Sequence, residues 1–289
     1  MKEKYSIFHI EGGLGKHIAA IAIAKCIKNN YPDRKLIIVC AYPEIFLTLS
    51  FIYRVYRIGS APYFYDDFIK NKDSLIFKHE PYFTKKHIMG ESNLIENWSN
   101  LYDLNYNGEM PELRFNLRQQ QVGFNKWKRE RPILVLQTNG GPLKNQLYPY
   151  SWTRDIPLFW GQSIVNKYKD DYHIIQIGRN NLNKLEGVEF FSEEISNMEL
   201  FYLLSMSSKR ILIDSCLQHA SAALNLPSTV LWIGTNPDIF GYKIHDNVSA
   251  FIDGEIKLHD SYLFDYSFNG VIHECPIYDV STMFNLDLI

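Results

Sequence analysis

Short apolar runs alternate with helical patterns along this chain, and the alternation limits the folds open to it. In the second half such runs occur at 133–137, 172–177, 210–214 and 229–233, separated by loops and stretches with helical spacing. Continuous apolar runs of this length indicate strands that are buried on both faces, as in parallel sheets. Strands that alternate with helices predict a doubly wound α/β fold.

The first half follows the same pattern. We predict a strand at 5–10, a helix at 14–29 and a strand at 35–40, with shorter strands near 55–58 and 74–77. Further helices are expected from their spacing at 87–101, 158–169, 198–207 and 215–225. A chain of 289 residues has room for two domains of ordinary size. The charged segment that ends at Arg131-Pro132 is taken as the boundary, which gives domains 1–130 and 131–275 and a terminal segment 276–289.

Composition excludes several classes of protein. A formal net charge of −2 gives no argument for a bulk nucleic-acid binder. The sequence contains no apolar stretch of the roughly 20 residues that a membrane span requires. The four cysteines show no C-x-x-C spacing, so neither a zinc site nor a redox dithiol is indicated. We expect a reduced, cytoplasmic protein.

A glycine-rich stretch, HIEGGLGKHI, joins the first strand to the first helix. It lacks the first glycine and the final Ser or Thr of an ATPase phosphate loop, and it is not a G-x-G-x-x-G dinucleotide loop. Free N–H groups at a helix start nevertheless attract anions. We therefore expect Gly12, Gly13 and Gly15 to form a substrate-facing loop, while a tight turn needed only for packing remains the alternative.

The segment DSCLQHASAA at 214–223 joins another predicted strand to its helix. Asp214 ends the strand, Ser215 is placed to cap the helix, and His219 lies one turn further on the same face. A hydroxyl, an imidazole and several N–H groups would thus meet at a positive helix end, which suits a diphosphate. The alternative is a capped core helix whose histidine is satisfied by a neighbour.

Candidate ligands also follow the neighbouring strands. A loop of about twenty residues follows 133–137, and loops of that length inside a domain are usually functional. Gly140-Gly141 permits close backbone approach there, and Lys144 and Arg154 offer positive charge to phosphate oxygens. Gly178 and Arg179 follow the predicted strand 172–177, and Thr235 follows the predicted strand 229–233.

These motifs resemble the heptosyltransferase-type glycosyltransferases. The matching residues of this chain are Gly140, Gly141, Trp152, Gly178, Asp214, Ser215, His219, Ala220, Pro227, Gly234, Thr235 and Pro237. The resemblance implies a GT-B-like fold, in which two Rossmann-like domains face each other across a cleft. It implies transfer of a sugar from a nucleotide-diphosphate donor to an acceptor hydroxyl, without an essential metal. The first domain would bind the acceptor, the second the nucleotide-sugar, and 276–289 would cross back to the first domain.

One position departs from that family. Where the family has an acidic residue after the glycine, this chain has Lys16, so the resemblance supplies no base to deprotonate the acceptor. Candidates for catalysis are His17, Lys16 and Glu11, with Asp66 and Asp67 as further carboxylates. The adjacent Asp pair also raises a metal-dependent alternative, although it is not the D-x-D motif of metal-dependent transferases.

The sequence pattern leaves three classes of acceptor open. A glycan, a lipid-linked sugar or a modified base of phage DNA is compatible with the pattern. The alternatives to a transferase are a non-catalytic, degenerate nucleotide-sugar-binding protein and a nucleotide-sugar epimerase or hydrolase on the same fold. A dehydrogenase is disfavoured, because no G-x-G-x-x-G follows any predicted strand.

Overall fold

The structure is a computed structural model that describes residues 2–140, 154–178, 184–191, 195–250 and 282–289. The chain divides into two compact units, Met1–Asn116 and Leu117–Ile289. The division lies closer to the N-terminus than residue 130. The reason is the first helix after Asn116, whose Trp127 is fully buried and donates a hydrogen bond from Nε1 to the carbonyl oxygen of Glu199 at 2.9 Å.

The described residues form ten strands and nine α-helices. The strands are β1 (Lys4–Ile10), β2 (Lys35–Cys40), β3 (Arg54–Arg57), β4 (Asp73–Phe77), β5 (Ile133–Gln137), β6 (His173–Ile177), β7 (Glu189–Phe191), β8 (Lys209–Ile213), β9 (Thr229–Trp232) and β10 (Asp246–Ser249). The helices are α1 (Leu14–Asn30), α2 (Phe64–Phe68), α3 (Lys85–Ile88), α4 (Leu94–Leu101), α5 (Leu117–Trp127), α6 (Leu158–Tyr168), α7 (Asn197–Met206), α8 (Cys216–Ala223) and α9 (Pro237–Phe240). The predicted α/β alternation is confirmed.

The first unit contains a four-stranded parallel sheet in the order β3-β2-β1-β4. Its central strands β1 and β2 are buried almost throughout, as strands covered on both faces must be. Helix α1 is buried from His17 to Ala24, because its Ile and Ala side chains face the protein on every side. The single helix predicted at 87–101 is wrong: α3 and α4 are separate helices, with Gly90 at a positive φ of 64° between them.

The second unit contains a six-stranded parallel sheet in the order β10-β9-β8-β5-β6-β7. Strand β5 lies inside this sheet, and all five of its residues are buried. The chain runs outward from β5 through β6 and β7, then returns to the other side of β5 as β8. This is the strand order of a dinucleotide-binding fold, and its direction of winding reverses between β5 and β8.

The terminal segment packs in the second unit. Met283, Phe284 and Ile289 belong to the same buried cluster as Leu134 and Trp160. The Phe284 ring meets the Trp160 ring edge to face at 5.6 Å, and the Tyr168 hydroxyl donates to the carbonyl oxygen of Ile289 at 2.8 Å. In the described part of the predicted crossing segment, 282–289, the buried side chains thus belong to the core of the second unit, while 276–281 lie outside the described residues.

Within the described ranges, no helix is both long enough and apolar enough to cross a membrane.

We expect Phe284→Ala to lower the free energy of unfolding by about 3–5 kcal/mol, because it removes a buried aromatic ring from the core. The matched control is Leu288→Ala four residues further along the chain, where the side chain is 63% exposed and a change within about 0.5 kcal/mol is expected. Urea denaturation of both variants measures the difference. Equal effects of the two substitutions would contradict the packing of the terminal segment described here.

Candidate functional site

The candidate site of the second unit lies where the winding of its sheet reverses. In open α/β sheets, ligands bind beyond the carboxyl ends of the strands at such a reversal. Because β9, β8 and β5 are neighbours, the residues that follow them come together at one edge: Thr235 after β9, Asp214 and Ser215 after β8, and Gly140 after β5.

Gly140 lies against the start of α8. A Cβ atom at this glycine would be 3.5 Å from Cδ1 of Ile213 and 3.6 Å from Oγ of Ser215. Its own N–H donates a hydrogen bond to Oδ1 of Asp155 at 3.0 Å, and Asp155 is 1% exposed. Sequence reasoning missed Asp155, whose only signal was its place at the far end of the long loop.

The two ends of that loop are held together. Besides the bond between Gly140 and Asp155, the N–H of Ile156 donates to the carbonyl oxygen of Thr138 at 2.8 Å. This pairing places Arg154 and Asp155 beside the carboxyl end of β5. The predicted ligands Gly141 and Lys144 and the matching residue Trp152 lie outside the described residues, as does Arg179.

Asp214 is a buried carboxyl group in this cluster. Burial raises its pKa, whereas the nearby positive charge of Arg154 and the neighbouring Thr235 hydroxyl act in the opposite direction. Arg154 and Thr235 therefore lie close to Asp214. The role of all three residues as ligands stays a prediction. Thr235 itself is 1% exposed.

Ser215 occupies the N-cap position of α8 with an extended backbone, as predicted, but its side chain makes no capping hydrogen bond. The expected hydroxyl cap is therefore wrong. The hydroxyl points instead toward Gly140, because Oγ lies 3.6 Å from the position of a Cβ there. An α8 start without a side-chain cap has N–H groups that can serve an anion.

His219 has both ring nitrogens engaged inside the unit. Nδ1 lies 2.9 Å from the Tyr242 hydroxyl, and Nε2 lies 3.2 Å from the side-chain amide nitrogen of Gln218. Burial, and to a smaller degree the neighbouring His245, lower its pKa to about 3. The ring is neutral at physiological pH, so it attaches α8 to the segment after α9 rather than offering positive charge.

Gly178 follows β6 and is required by packing. A Cβ atom there would be 2.6 Å from Cε2 and 2.7 Å from Cζ of Phe190, which is closer than real contacts allow. Its N–H donates to the carbonyl oxygen of Phe191 at 3.2 Å. The close contact with β7 therefore explains why residue 178 is glycine without any role in ligand binding.

The glycine-rich loop of the first unit occupies the corresponding reversal, between β1 and β4. Gly12 has a φ of 90°, Gly13 is the N-cap of α1, and Gly15 lies in its first turn. A Cβ at Gly12 would come within 2.6 Å of Nζ of Lys16, so the lysine side chain lies over this glycine. Nζ of Lys16 is 2.7 Å from Oε1 of Glu80.

His17, a predicted catalytic residue, is fully buried. Nδ1 lies 2.9 Å from the carbonyl oxygen of Gly13, and Nε2 accepts a hydrogen bond from the N–H of Ala41 at 3.2 Å. Burial lowers its pKa, with the carbonyl groups of Gly13 and Ile10 opposing. These contacts fit a neutral ring that joins α1 to the ends of β1 and β2, and they do not favour His17 as a base.

Glu11 and Glu80 are carboxylates that follow β1 and β4 at the same edge. Glu11, the third predicted catalytic residue, has a side chain that is 59% exposed and lies 3.5 Å from Nδ1 of His9. Glu80, which sequence reasoning missed, is 26% exposed. Asp66 and Asp67 lie on α2, where Asp66 is 3.5 Å from Nζ of Lys70. Among the residues that the structure describes, no group of three or more His, Cys, Asp or Glu could hold a metal ion.

We expect Gly178→Ala to destabilise the protein by about 1–3 kcal/mol in the absence of any ligand, because the new methyl group overlaps the Phe190 ring. The double variant Gly178→Ala with Phe190→Leu should recover part of this loss. Gly13→Ala is the control, since a Cβ there meets nothing within 4 Å. Denaturation midpoints of the variants test this, and full stability of Gly178→Ala would refute it.

We expect stability to fall as the pH drops from 7 to 5. Burial lowers the pKa of five histidines: His219 to about 3, His87 to about 4, and also His9, His17 and His245. An unfolded histidine has a pKa near 6.5, so below that pH the unfolded chain binds more protons than the folded one. The stabilisation is complete above about pH 6.5 and is lost toward the folded pKa values.

His219 and His87, whose folded pKa values are about 3 and about 4, should each contribute a slope of about 1 kcal/mol per pH unit between pH 6 and 5. Urea denaturation at several pH values should therefore give a shallower slope for His219→Asn than for the wild type. Replacement of the exposed His79 by Gln serves as the control and should leave the slope unchanged. A wild-type stability that is flat over this range would contradict the neutral, buried state of these rings.

Comparison with known proteins gives matches among solved structures. No family model matches the sequence, and no curated protein matches it. The ADP-heptose LPS heptosyltransferase II of E. coli superposes with a TM-score of 0.64 at 13% identity, over 87% of this chain and 92% of that chain. A family 9 glycosyltransferase from Veillonella parvula gives 0.67 at 12% identity, over 98% and 95%.

The dodecameric, iron-containing glycosyltransferase TibC of enterotoxigenic E. coli superposes with a TM-score of 0.60 at 14% identity, over 91% of this chain and 68% of that chain. At identities this low, the superpositions establish the fold alone. The resemblance that the Asp214 segment indicated is confirmed at that level, and the chain has the GT-B-like fold of the heptosyltransferase-type glycosyltransferases.

Proposed function

We propose that this protein is a metal-independent glycosyltransferase that moves a sugar from a nucleotide-diphosphate donor to an acceptor hydroxyl. The observation that supports this best is the meeting of Gly140 with the start of α8 at the reversal of the second sheet. A backbone without a side chain, a hydroxyl that is not used as a cap, and N–H groups at a helix start lie together there. This combination suits a diphosphate.

Positive charge beside that point supports the same donor. Arg154 lies close enough to Asp214 to oppose the effect of burial on its pKa. A guanidinium that faces a phosphate forms strong, charge-assisted hydrogen bonds. In our proposal Arg154 and the N–H groups of α8 stabilise the charge that develops on the departing diphosphate, which is the role a metal ion plays in other transferases.

His219 acts indirectly in this proposal. Its ring nitrogens contact Tyr242 and Gln218, so the residue orients α8 and the segment that follows α9. Ser215, Gly140, Asp214 and Thr235 remain the proposed donor residues, together with Gly141, Lys144, Gly178 and Arg179 from the sequence.

The first donor to test is ADP-heptose, because the heptosyltransferase II with this fold is named for it. The acceptor could be a glycan, a lipid-linked sugar or a modified DNA base, and each has a hydroxyl that the reaction requires. We place the reaction in the cytoplasm, which the buried thiols of Cys26 and Cys40 support.

A thermal-shift screen against nucleoside diphosphates and nucleotide sugars tests the donor. A ligand at 100 times its Kd should stabilise the protein by about 2.7 kcal/mol. Loss of a hydrogen bond to a charged phosphate costs about 1.5–3 kcal/mol, so Ser215→Ala should weaken binding by roughly ten- to a hundredfold. The control is Ser205→Ala, which removes an exposed hydroxyl from α7.

The outcomes separate the candidate functions. A selective response that Ser215→Ala weakens, with product formation that persists in EDTA, supports the transferase. A selective response with no release of nucleoside diphosphate would favour the non-catalytic binding protein. Silence across the whole panel would refute a nucleotide-sugar site at the start of α8.

A further inference from the structure

A partly buried ion pair connects the two chain segments that flank the reversal of the first sheet. Lys16 lies in the first turn of α1, after β1, and Glu80 follows β4. Since β1 and β4 are neighbouring parallel strands, both residues lie at the carboxyl edge of the sheet, where its order β3-β2-β1-β4 changes direction. Ligands of doubly wound sheets bind at this edge.

The pair is well defined. Nζ of Lys16 is 2.7 Å from Oε1 of Glu80, and the two side chains are only 13% and 26% exposed. The ammonium group also lies 5.3 Å from the centroid of the Tyr82 ring. Gly12 makes room for the lysine, because a Cβ atom there would overlap both Cε and Nζ. Lys16 is therefore already paired, which disfavours it as a base or as a ligand for an anionic acceptor.

The backbone of Glu80 is held on both sides. The carbonyl oxygen of His79 accepts a hydrogen bond from Nε1 of Trp98 at 3.1 Å and another from the Tyr102 hydroxyl. Pro81 follows, is buried, and restricts Glu80 to the extended conformation that it has. The carboxylate thus projects from a rigid segment, as a preorganised functional group should.

The other predicted bases are less suitable. His17 is buried with both nitrogens engaged by backbone groups. Glu11 has a side chain that is 59% exposed, so water screens it. Glu80 is partly shielded and keeps a second carboxylate oxygen, since the pair with Lys16 uses Oε1.

We propose that Glu80 is the general base of the reaction and that Lys16 is a positioning residue that orients it. This inference rests on the proposed glycosyl transfer. In the step, a carboxylate oxygen of Glu80 takes the proton of the acceptor hydroxyl, and the acceptor oxygen forms a bond to the anomeric carbon. The bond from that carbon to the diphosphate oxygen breaks, and its electron pair leaves with the nucleoside diphosphate.

The test uses the full chain and water as the acceptor, so that no acceptor need be known. Release of ADP from ADP-heptose is measured, or of the nucleoside diphosphate from whichever panel donor the protein turns over. General base catalysis contributes about 10²- to 10⁴-fold, so Glu80→Gln should lower kcat by that factor while KM stays within about twofold. ADP binding and Tm should match the wild type.

Three further variants and one control distinguish a catalytic role of Glu80 from a structural one. Glu80→Ala should regain activity when formate is added, because a small carboxylate can fill the space and accept the proton, an effect that a structural role would not produce. Lys16→Met should lower kcat less than Glu80→Gln does, and Lys16→Arg should restore part of that loss. Glu96→Gln, on the exposed face of α4, is the neutral control.

The results that would overturn the proposal are distinct. If Glu80→Gln turns over the donor like the wild type, or Glu11→Gln alone abolishes turnover, then Glu80 is not the base although the transferase stands. If Glu80→Gln loses stability or ADP binding, and formate does not restore the activity of Glu80→Ala, the ion pair of Lys16 and Glu80 has only a structural role. If the wild type binds no nucleoside diphosphate and releases none from any donor, the glycosyl transfer itself is refuted.

Discussion

Parallel pairing of β5 with strands on both of its sides is the constraint on which the second unit depends. Parallel strands cannot be joined by a short turn, so each neighbour of β5 is reached through a helix that covers one face of the sheet. The return of the chain to the far side of β5 as β8 brings the ends of these two strands together. Gly140 and Ser215, which are distant in sequence, thereby meet at the start of α8.

The sequence predicts the elements well where burial is complete. Residues 35–40 and 133–137 have the bounds of β2 and β5, because an uninterrupted apolar run admits little else. The fold of the heptosyltransferases was indicated by the segment after β8 rather than by overall similarity. The prediction fails where local spacing suggests continuity, as in the helix at 87–101, which Gly90 divides.

The site was less predictable, because residue type does not reveal burial or partner. His17 and His219 have a suitable intrinsic pKa, yet each is buried and its nitrogens contact groups of its own unit. Asp155 and Glu80 lack any motif, and they matter through long-range contacts with Gly140 and Lys16. Such contacts depend on the packed chain, which periodicity cannot describe. The roles of these residues in binding and catalysis are still proposals.

The packing of the terminal segment has a consequence for how the protein is made. The buried cluster of the second unit contains both Leu134, on its first strand, and Ile289. On a ribosome that cluster cannot close until the last of these residues has left the exit tunnel. The first unit ends at Asn116 and has no such dependence within its own core. During synthesis, domains tend to fold in order from the N-terminus. Apolar side chains of β5 would then stay exposed to solvent until residues 283–289 pack against their cluster. Apolar surface that is exposed during folding favours aggregation.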